Sequence, residues 1–530
     1  MRTTPGRSVG RGRESDGVWG ARCGSWEGKL VSRRGIFAAE KADSKGCMVM
    51  ESNGAVQSKG DREAGLGTLV TDPDVLEGYR RDASPVVGSP EGLLRPSSAS
   101  EAAGWLQEAA GRGVAVTACG LRTSTTGAGL APHGWTMSCE RMVGLVDLDP
   151  ERRIARVRPG TVLREFKDAV EDAGLFYPPD PTSERECAVG GTVACDASGA
   201  RTYRYGATHR WVRAVEIAMV DGSVRRFQRP SVGKDAAGYA ALRNLVDLVC
   251  GSEGTLGFIT EVEVDLIARP EAFSAGLAFF LSLADALAFV AEARREDSAG
   301  TGVKPRCLEL LDEGCLEIMR AQDTAISPPA AAGAAIFFEE EHAASDAAAM
   351  AVMEAWWALL ERSPGSLADD TVIADAPARQ AELRSLRHAV PATLNEEGRG
   401  YESDGGRKIS TDWAVPFAEL PAFMEAADRR LEAAGVERVF RYGHVGNGHP
   451  HYNLLVRDDD ERRRADGVVE WMCEEACRRG GTITAEHGMG KVKLHYAHHR
   501  FDPLSREVMR AIKDRFDPKG ILAPGNLFPI

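Results

Sequence analysis

The sequence predicts an α+β fold divided between two domains. The chain has 530 residues, which is more than one hydrophobic core usually supports. Strand and helix patterns joined by glycine-rich loops continue to about residue 270, and from there strands alternate with longer helices. Hydrophobic residues make up 43% and charged residues 27% of the chain, a balance typical of folded globular proteins.

The elements of the first domain can be predicted from about residue 70 onward. Ser98 and Glu101 form a capping box for a helix that ends at Gly111 or Gly113. The patterns that follow predict a strand, a second strand, a helix and a β-hairpin, at residues 114–118, 154–157, 161–174 and 212–227.

The second part of the chain contains one long apolar segment, residues 273–293. Asp285 interrupts this segment, so it predicts a strand followed by a helix rather than a membrane span. We therefore expect no membrane span. The last helix pattern is stopped by Asp517-Pro518, because the residue before a proline disfavours helical geometry.

Charge and cysteine usage exclude several classes of protein. The net charge of -13 argues against nucleic-acid binding, which needs a basic surface. The 11 cysteines are scattered without regular spacing, which indicates neither a disulfide framework nor an iron–sulfur relay. Cys473 and Cys477 lie four residues apart and are interpreted as core residues rather than as a metal site. A reducing compartment fits this pattern best.

Residues 1–65 lack apolar periodicity and are predicted to be a disordered or mis-started extension. Met48 and Met50 are the alternative start positions. An organellar targeting peptide remains a second interpretation, although Glu14 and Asp16 interrupt the acid-poor composition that such peptides need. The expected location is the cytoplasm, with attachment at a membrane periphery left open.

Three glycine-rich loops in the first domain are candidates for holding a diphosphate. They span residues 120–129, 188–206 and 251–257. Glycines let backbone N–H groups approach an anion closely, and the hydroxyl groups of the first loop add further donors. Each loop alone is equally consistent with a tight turn. The sequence has neither a Rossmann fingerprint nor a P-loop motif, so a dinucleotide must be held in another way.

Six motifs occur in a fixed order along the chain: GLRTSTTGAG, PPDPTS, GGTVACDASG, RYG, GSEGTLGFIT and DPKGILAPGN. This order resembles the FAD-linked oxidase family of the p-cresol-methylhydroxylase (PCMH) or vanillyl-alcohol-oxidase superfamily. Within the family it is most similar to the branch of glycolate-oxidase subunits, D-lactate dehydrogenases and D-2-hydroxyacid dehydrogenases.

The resemblance spans roughly residues 70–530 and implies a PCMH-type FAD-binding domain of two α/β subdomains. It also implies an α+β substrate (cap) domain with an antiparallel sheet. The implied domain boundaries are 70–270 for the FAD-binding domain, 271–495 for the cap domain with the metal and catalytic residues, and 496–530 for a C-terminal segment that returns to the FAD-binding domain.

In this family the glycine-rich loops bind FAD, and in this branch the cofactor is held non-covalently. The motif matches imply FAD contacts at Gly120, Thr123, Ser124, Thr126, Gly127, Pro181, Ser183, Gly190, Gly191, Ser198, Gly199, Gly254 and Ile259. The chain departs from the family at Leu121 and Arg122, where glycines are common, and at Asp196, where asparagine is common.

Histidines are concentrated near the end of the chain, where seven of the 11 lie between His444 and His499. Side chains alternate along a strand, so His451 and Asn453 should project to the same face. If a turn carries His444 back over that strand, Glu486 can complete a metal site of two nitrogens and one carboxylate. The alternative is a group of solvated loop histidines.

The two histidine segments resemble the metal and base motifs of the D-2-hydroxyacid dehydrogenases. The resemblance implies that His444, His451 and Glu486 bind a divalent metal, commonly zinc, and that His487 acts as the base. It further implies that Asn453 contacts the substrate. The chain departs from these motifs at four positions, Asn447, His449, Pro450 and Ala485, and His449 offers an additional nitrogen.

Two basic residues are candidates for binding the substrate carboxylate. Arg387 matches the family's substrate arginine, and a guanidinium can bind a carboxylate through two hydrogen bonds. Lys408 is a second catalytic candidate. In the family, however, the active-site lysine usually lies nearer in sequence to the aspartate that follows it than Lys408 lies to Asp412. An ordinary surface lysine is an equal interpretation.

The sequence thus predicts FAD-dependent oxidation of a small D-2-hydroxy acid of the D-lactate, glycolate or 2-hydroxyglutarate type. The expected electron acceptor is a cytochrome, a quinone or an electron-transfer flavoprotein, because no NAD fingerprint is present. A homodimer is left open. Three alternatives stay open as well: a flavin-binding subunit of a glycolate-oxidase-like complex, an ether-lipid-synthase-like FAD enzyme, and a metal-dependent hydrolase.

Overall fold

The computed structural model describes residues 66–322 and 324–529. The predictions for residues 1–65 lie outside the described residues. Within the described part of the chain, no helix is both long enough and apolar enough to cross a membrane.

The strands and helices are numbered here in chain order. The strands are β1 Gly92–Leu94, β2 Val116–Cys119, β3 Trp135–Ser138, β4 Leu145–Asp149, β5 Ile154–Val157, β6 Leu175–Phe176, β7 Val212–Ala218, β8 Val224–Gln228, β9 Phe258–Asp265, β10 Ile267–Ala268, β11 Ala272–Phe280, β12 Pro305–Asp312, β13 Ala334–His342, β14 Val372–Ala374, β15 Gly405–Ser410, β16 Val439–His444 and β17 His449–Asp458. The helices are α1 Pro73–Glu77, α2 Ala99–Arg112, α3 Leu163–Asp172, α4 Val189–Cys195, α5 Thr202–Tyr205, α6 Val246–Val249, α7 Leu283–Ala299, α8 Glu313–Arg320, α9 Asp346–Arg362, α10 Pro377–Arg399, α11 Leu420–Ala433, α12 Asp459–Arg478, α13 Ala497–Arg500 and α14 Pro503–Phe516.

A small parallel sheet and a five-stranded antiparallel sheet form the first part of the structure. The parallel sheet has the order β1-β3-β2 and packs against α2. The side chain of Ser98 accepts a hydrogen bond from the backbone N–H of Glu101 and Gly113 ends the helix in the left-handed conformation, so the predicted N-cap and helix end are confirmed. The carboxylate of Glu101 accepts from the backbone N–H of Ser97 rather than that of Ser98, so the capping box is formed only in part. The antiparallel sheet has the order β4-β5-β9-β7-β8 and contains the predicted hairpin as β7 and β8.

A seven-stranded antiparallel sheet is the centre of the second part, with the order β14-β11-β13-β12-β16-β17-β15. The helices α7, α9, α11 and α12 cover one face, whose strand side chains include Leu310, Phe338 and Leu454. We call this the apolar face. The helices α8 and α10 lie over the other face, which carries Glu309 and Glu339 besides its apolar residues. We call this the ionic face. Helices together with mainly antiparallel sheets confirm the α+β prediction.

The residues after α14 contact the parallel sheet of the first part. Leu522 forms a parallel bridge with Val116, and the backbone N–H of Ala523 donates to the carbonyl of Val116 at 2.8 Å. Within α14 itself, the ammonium group of Lys513 donates to the carbonyl of Thr255 at 2.9 Å. The end of the chain is therefore attached to the part that holds the glycine loops.

Candidate active site

The histidines lie on a β-hairpin formed by β16 and β17. His444 pairs directly with His449 in this hairpin, and Tyr442 pairs with His451. Because alternate residues of a strand face the same side, the three imidazoles and the side chain of Asn453 project to the ionic face. His444, His449, His451 and Asn453 are all buried. The interpretation as solvated loop histidines is therefore wrong, because hairpin pairing carries these rings into the interior.

Glu486 is placed against two of these imidazoles. Its Oε1 lies 2.9 Å from Nε2 of His451, and its Oε2 lies 3.1 Å from Nε2 of His444. One potential ligand atom from each of His444, His449, His451 and Glu486 lies within 4.8 Å of all the others. The donor set fits a divalent ion, since imidazole and carboxylate are zinc ligands.

Outer partners fix the orientation of both rings. Nδ1 of His444 lies 2.7 Å from Oε1 of Glu309, and Nδ1 of His451 lies 2.9 Å from the carbonyl oxygen of Thr411. Each ring therefore turns Nε2 toward Glu486, which is the arrangement of a metal-binding histidine with an acceptor on its other nitrogen. Sequence reasoning missed Glu309. The available signal was a single carboxylate within the apolar strand segment CLELL.

His487 is held beside the cluster by Asp412. The carboxylate of Asp412 accepts hydrogen bonds from the backbone N–H groups of Glu486 at 3.2 Å and His487 at 3.1 Å. Its Oδ1 lies 3.5 Å from Nδ1 of His487, while Lys493 donates to Oδ2. Nε2 of His487 lies 3.3 Å from Oε1 of Glu486. The ring is thus positioned between two carboxylates.

This position favours the protonated form of His487. Burial lowers the pKa of His487, but Asp412 and Glu486 outweigh it, so the pKa lies above the ordinary histidine value. Burial raises the pKa of Asp412, but Lys493 and His487 outweigh it, so the pKa lies well below the usual range. A raised pKa makes the neutral imidazole a stronger proton acceptor.

The three other predicted catalytic residues differ in their relation to this cluster. Arg387 is close, because its Nη2 lies 2.8 Å from Oε2 of Glu309. Asn453 is fully buried and accepts a hydrogen bond from the hydroxyl of Tyr442 at 3.3 Å, while its Nδ2 has no partner among the described residues. Lys408 instead donates to Oδ1 of Asn395 at 2.7 Å, and burial lowers its pKa to about 8.

The three glycine loops pack against one another. A Cβ placed on Gly120 would lie 3.7 Å from Cβ of Ala188 and 4.0 Å from Cα of Gly191. The third loop joins them because the backbone N–H of Gly251 donates to the carbonyl of Val193 at 3.0 Å. A Cβ on Gly191 would meet no atom within 4 Å. The backbone here borders open space, which fits the close approach of a diphosphate.

The other predicted FAD residues occupy these loops and the segments beside them. In the first loop, Oγ of Ser124 accepts from the backbone N–H of Thr126 at 3.2 Å, and Gly127 has a φ of 74°. Pro181 and Ser183 lie in a turn, closed by Glu184 N–H to the carbonyl of Pro181 at 2.9 Å. The remaining positions lie in the first loop, in and after α4, and in or before β9: Thr123, Gly190, Ser198, Gly199, Gly254 and Ile259. The side chain of Ile259 belongs to the hydrophobic core.

Hydrogen bonds connect the glycine loops to the loop that carries Glu486 and His487, here called the 484–493 loop. The hydroxyl of Thr126 donates to the carbonyl of His487 at 3.3 Å. Glu253, in the third glycine loop, accepts from the backbone N–H groups of Met489 at 2.5 Å and Gly490 at 2.8 Å. The histidine cluster and the candidate cofactor loops therefore form one continuous site.

Fold and site together define a flavoprotein oxidoreductase with a PCMH-type FAD-binding fold. The sequence profile described as "FAD binding domain" matches residues 90–228, and the profile "FAD linked oxidases, C-terminal domain" matches residues 269–527. The chain belongs to the FAD-linked oxidase family, which confirms the resemblance inferred from the six motifs.

Three relatives illustrate the functions found in this family. A glycolate oxidase subunit GlcD of Bacillus subtilis is 30% identical over 85% of this chain and 92% of its own length. A D-lactate dehydrogenase of Anaerostipes hadrus is 28% identical over 86% and 93%. A D-2-hydroxyglutarate dehydrogenase of Stutzerimonas stutzeri is 26% identical over 87% and 96%.

Solved structures confirm the fold class. A substrate-bound p-cresol methylhydroxylase matches with a TM-score of 0.64 at 15% identity, covering 87% of this chain and 93% of the other. An alkyldihydroxyacetonephosphate synthase matches with a TM-score of 0.62 at 15% identity, covering 86% and 82%. At these identities the similarity shows the fold alone.

Proposed function

We propose that this protein oxidises a small D-2-hydroxy acid to the corresponding 2-oxo acid, with FAD as the acceptor of the hydride. The observation that carries the proposal is the set of hydrogen bonds between the glycine loops and the 484–493 loop, because these bonds hold the loop of His487 against the candidate FAD loops. Relatives that are named for the oxidation of glycolate, D-lactate and D-2-hydroxyglutarate support the substrate class.

The domain division proposed with this function assigns residues 70–270 to FAD, 271–495 to the substrate, and 496–530 to the segment that returns to the FAD-binding domain. The thirteen cofactor positions predicted from the motifs remain the proposed FAD contacts. FAD, when bound, supplies the hydride acceptor. Gly120 and Gly191 would offer the open backbone for its diphosphate.

The chain's own residues would bind and orient the substrate acid. Arg387 pairs with Glu309 through one nitrogen and keeps further N–H donors for a carboxylate. The unpartnered Nδ2 of Asn453 is a second donor. His487 would take the hydroxyl proton, and the resulting imidazolium is stabilised by Asp412 and Glu486.

We further propose that His444, His451 and Glu486 hold a divalent metal, most simply zinc. A cation at this position would lower the pKa of the substrate hydroxyl and bind its oxygen atoms. Supporting observations are the convergence of the three side chains and the protein acceptors on the outer nitrogens of both histidines. A metal at this donor set would argue against an enzyme that uses FAD without net oxidation, and metal analysis of the purified protein tests this point.

The decisive experiment is anaerobic flavin bleaching with a panel of acids. Purified protein loaded with FAD is mixed with D-lactate, glycolate, D-2-hydroxyglutarate and the L-enantiomers, and absorbance of the oxidised flavin is followed. We expect at least one D-2-hydroxy acid, or glycolate, to bleach the flavin, and the 2-oxo acid to be formed in equal amount. Retention of the yellow colour with every acid would refute the proposed reaction.

A second candidate is a flavin-binding subunit that needs partner subunits for turnover. The relative named as a glycolate oxidase subunit favours this possibility. Bleaching of the isolated chain followed by turnover with an artificial electron acceptor would support an independent enzyme. Bleaching without such turnover would support the subunit. We also propose that the natural acceptor of the electrons from the reduced flavin is a cytochrome, a quinone or an electron-transfer flavoprotein.

A further inference from the structure

We propose that His449 is a fourth ligand of the metal site, so that the ion is held by three imidazoles and one carboxylate. This inference rests on the proposed function, because it extends the site formed by His444, His451 and Glu486. It concerns a residue that departs from the metal motif of the similar enzymes.

The strand register places His449 among the proposed ligands. His449 is the direct partner of His444 across the β16–β17 pair and lies two residues before His451 on the same strand. All three imidazoles therefore project from the same face of the sheet. The ring centroid of His449 lies 4.5 Å from that of His451 and 5.5 Å from that of His444.

The hydrogen bonding of His449 leaves a nitrogen available. Its ring is buried, and Nε2 has no well-formed hydrogen bond with any described residue, although Oδ1 of Asp412 lies 3.2 Å away. A buried polar atom without a partner costs about 1–3 kcal/mol. Binding an ion would satisfy this atom. His444 and His451 differ from His449 in this respect. Nδ1 of His444 and Nδ1 of His451 each lie close to a protein acceptor.

Four protein ligands have a consequence for the chemistry. Three nitrogens and one oxygen match the preferences of zinc, and cobalt(II) binds to the same donor types. A fourth ligand leaves fewer coordination positions for substrate oxygens. The site would thus hold its ion more tightly than a site built from His444, His451 and Glu486 alone.

The test counts the imidazoles bound to the ion and needs no turnover. The full chain is stripped with a chelator and loaded with zinc, and X-ray absorption at the zinc edge gives the number of coordinated histidines. Cobalt(II) titration, followed by its visible absorption, gives the affinity. We expect three imidazoles in the wild type, two in His449→Asn, and still three in His487→Asn. The cobalt dissociation constant should rise at least about 10-fold in His449→Asn, because losses of 10- to 100-fold already follow changes in outer partners.

Each outcome decides the inference. Two imidazoles in the wild type would overturn it without any variant, so poor folding of His449→Asn cannot rescue it. An unchanged imidazole count and affinity in a folded His449→Asn would also overturn it, while the proposed oxidation would stand. A wild type that binds neither zinc nor cobalt would overturn both this inference and the proposed metal site. Flavin bleaching then decides independently whether the oxidation remains.

Discussion

The two faces of the seven-stranded sheet use the same strands in opposite ways. On β17 the side chain of Leu454 enters the apolar face, whereas its neighbour Asn453 enters the ionic face. On β12 the same alternation separates Leu310 from Glu309. Both faces are buried, so their difference lies in what each buried side chain requires. Apolar groups need only packing, but buried ionisable groups need specific partners.

The ionic face shows where those partners come from. Glu339 lies 3.0 Å from Nε of Arg201, a residue of the second glycine loop, and 3.8 Å from Nε of Arg306. Glu309 is likewise shared between His444 and Arg387. Partners from several segments must therefore be in place at once. This requirement explains how one face can become a site while the other remains a core.

The largest effect should come from His487→Asn, which removes the proposed proton acceptor beside the ionic face. We expect the rate of flavin reduction by the best acid to fall about 10²- to 10⁴-fold, the usual contribution of general base catalysis. The measurement is anaerobic stopped-flow bleaching of the FAD-loaded protein. The free energy of unfolding should fall as well, because the ring lies between the carboxylates of Asp412 and Glu486 and stacks against His451.

His495→Asn is the matched control for this variant, since His495 is an exposed histidine. Its bleaching rate should equal that of the wild type. If His487→Asn bleached at the wild-type rate, His487 would not be the base. The catalytic role proposed for the ionic face would then be contradicted.

Glu339→Gln tests whether the ionic face depends on charge pairing. Removing the carboxylate takes away the nearest partner of Arg201 and leaves only Asp180 beside Arg201 and Glu341 beside Arg306. We therefore expect the free energy of unfolding to fall by about 3 kcal/mol at pH 7. Urea unfolding followed by circular dichroism measures this difference. A loss below about 1 kcal/mol would contradict the idea that pairing maintains this face.

The same carboxylate predicts a pH dependence. Burial raises the pKa of Glu339, but Arg201, Arg306 and Arg384 outweigh it and lower the pKa to about 2. A lowered pKa contributes stability above the unfolded value of about 4.5, and that contribution is lost as the pH falls toward 2. The stability difference between wild type and Glu339→Gln should therefore shrink by roughly 1 kcal/mol per pH unit below 4.5. A difference independent of pH would refute this assignment.

Leu454→Ala perturbs the apolar face immediately beside the site. Leu454 is fully buried, so its truncation should lower the free energy of unfolding by about 2–5 kcal/mol. The folded variant should bleach its flavin at the wild-type rate, because the cavity forms on the far side of the sheet. Asn453→Ala is the matched variant and should slow bleaching at a smaller cost in stability. Equal effects of both variants on bleaching would break the distinction between the faces.

Sequence patterns predicted the local elements and the convergence of the proposed metal ligands. The capping box at Ser98, the hairpin at 212–227 and the strand–helix order at 273–293 could be predicted because they depend on neighbouring residues. His444, His451 and Glu486 were predicted to converge by their motifs, and the structure brings them together. Short-range periodicity and motif order carry this information.

Contacts between distant segments could not be predicted in the same way. The partnership of Glu309 with His444 joins residues 135 positions apart, and that of Glu253 with Gly490 joins residues 237 positions apart. No spacing rule relates such residues. Glu309 and His444 meet because β12 is the neighbour of β16 in the sheet, and Glu253 and Gly490 meet because two loops pack together. The hydrogen bond of Lys408 to Asn395 is a further contact that sequence spacing did not predict, and the catalytic role of Lys408 stays a prediction.

Ser98→Ala should give the smallest effect and provides the baseline for the comparison, because Ser98 caps α2 and belongs to neither face of the sheet. Losing the hydrogen bond from Glu101 N–H to its hydroxyl should lower the free energy of unfolding by about 1 kcal/mol. Urea unfolding checks this value, and bleaching should stay at the wild-type rate. Ser98→Asn, which keeps a capping oxygen, should restore most of the loss. A loss as large as that of Leu454→Ala would mean that general instability, rather than the two faces, governs the responses of this fold.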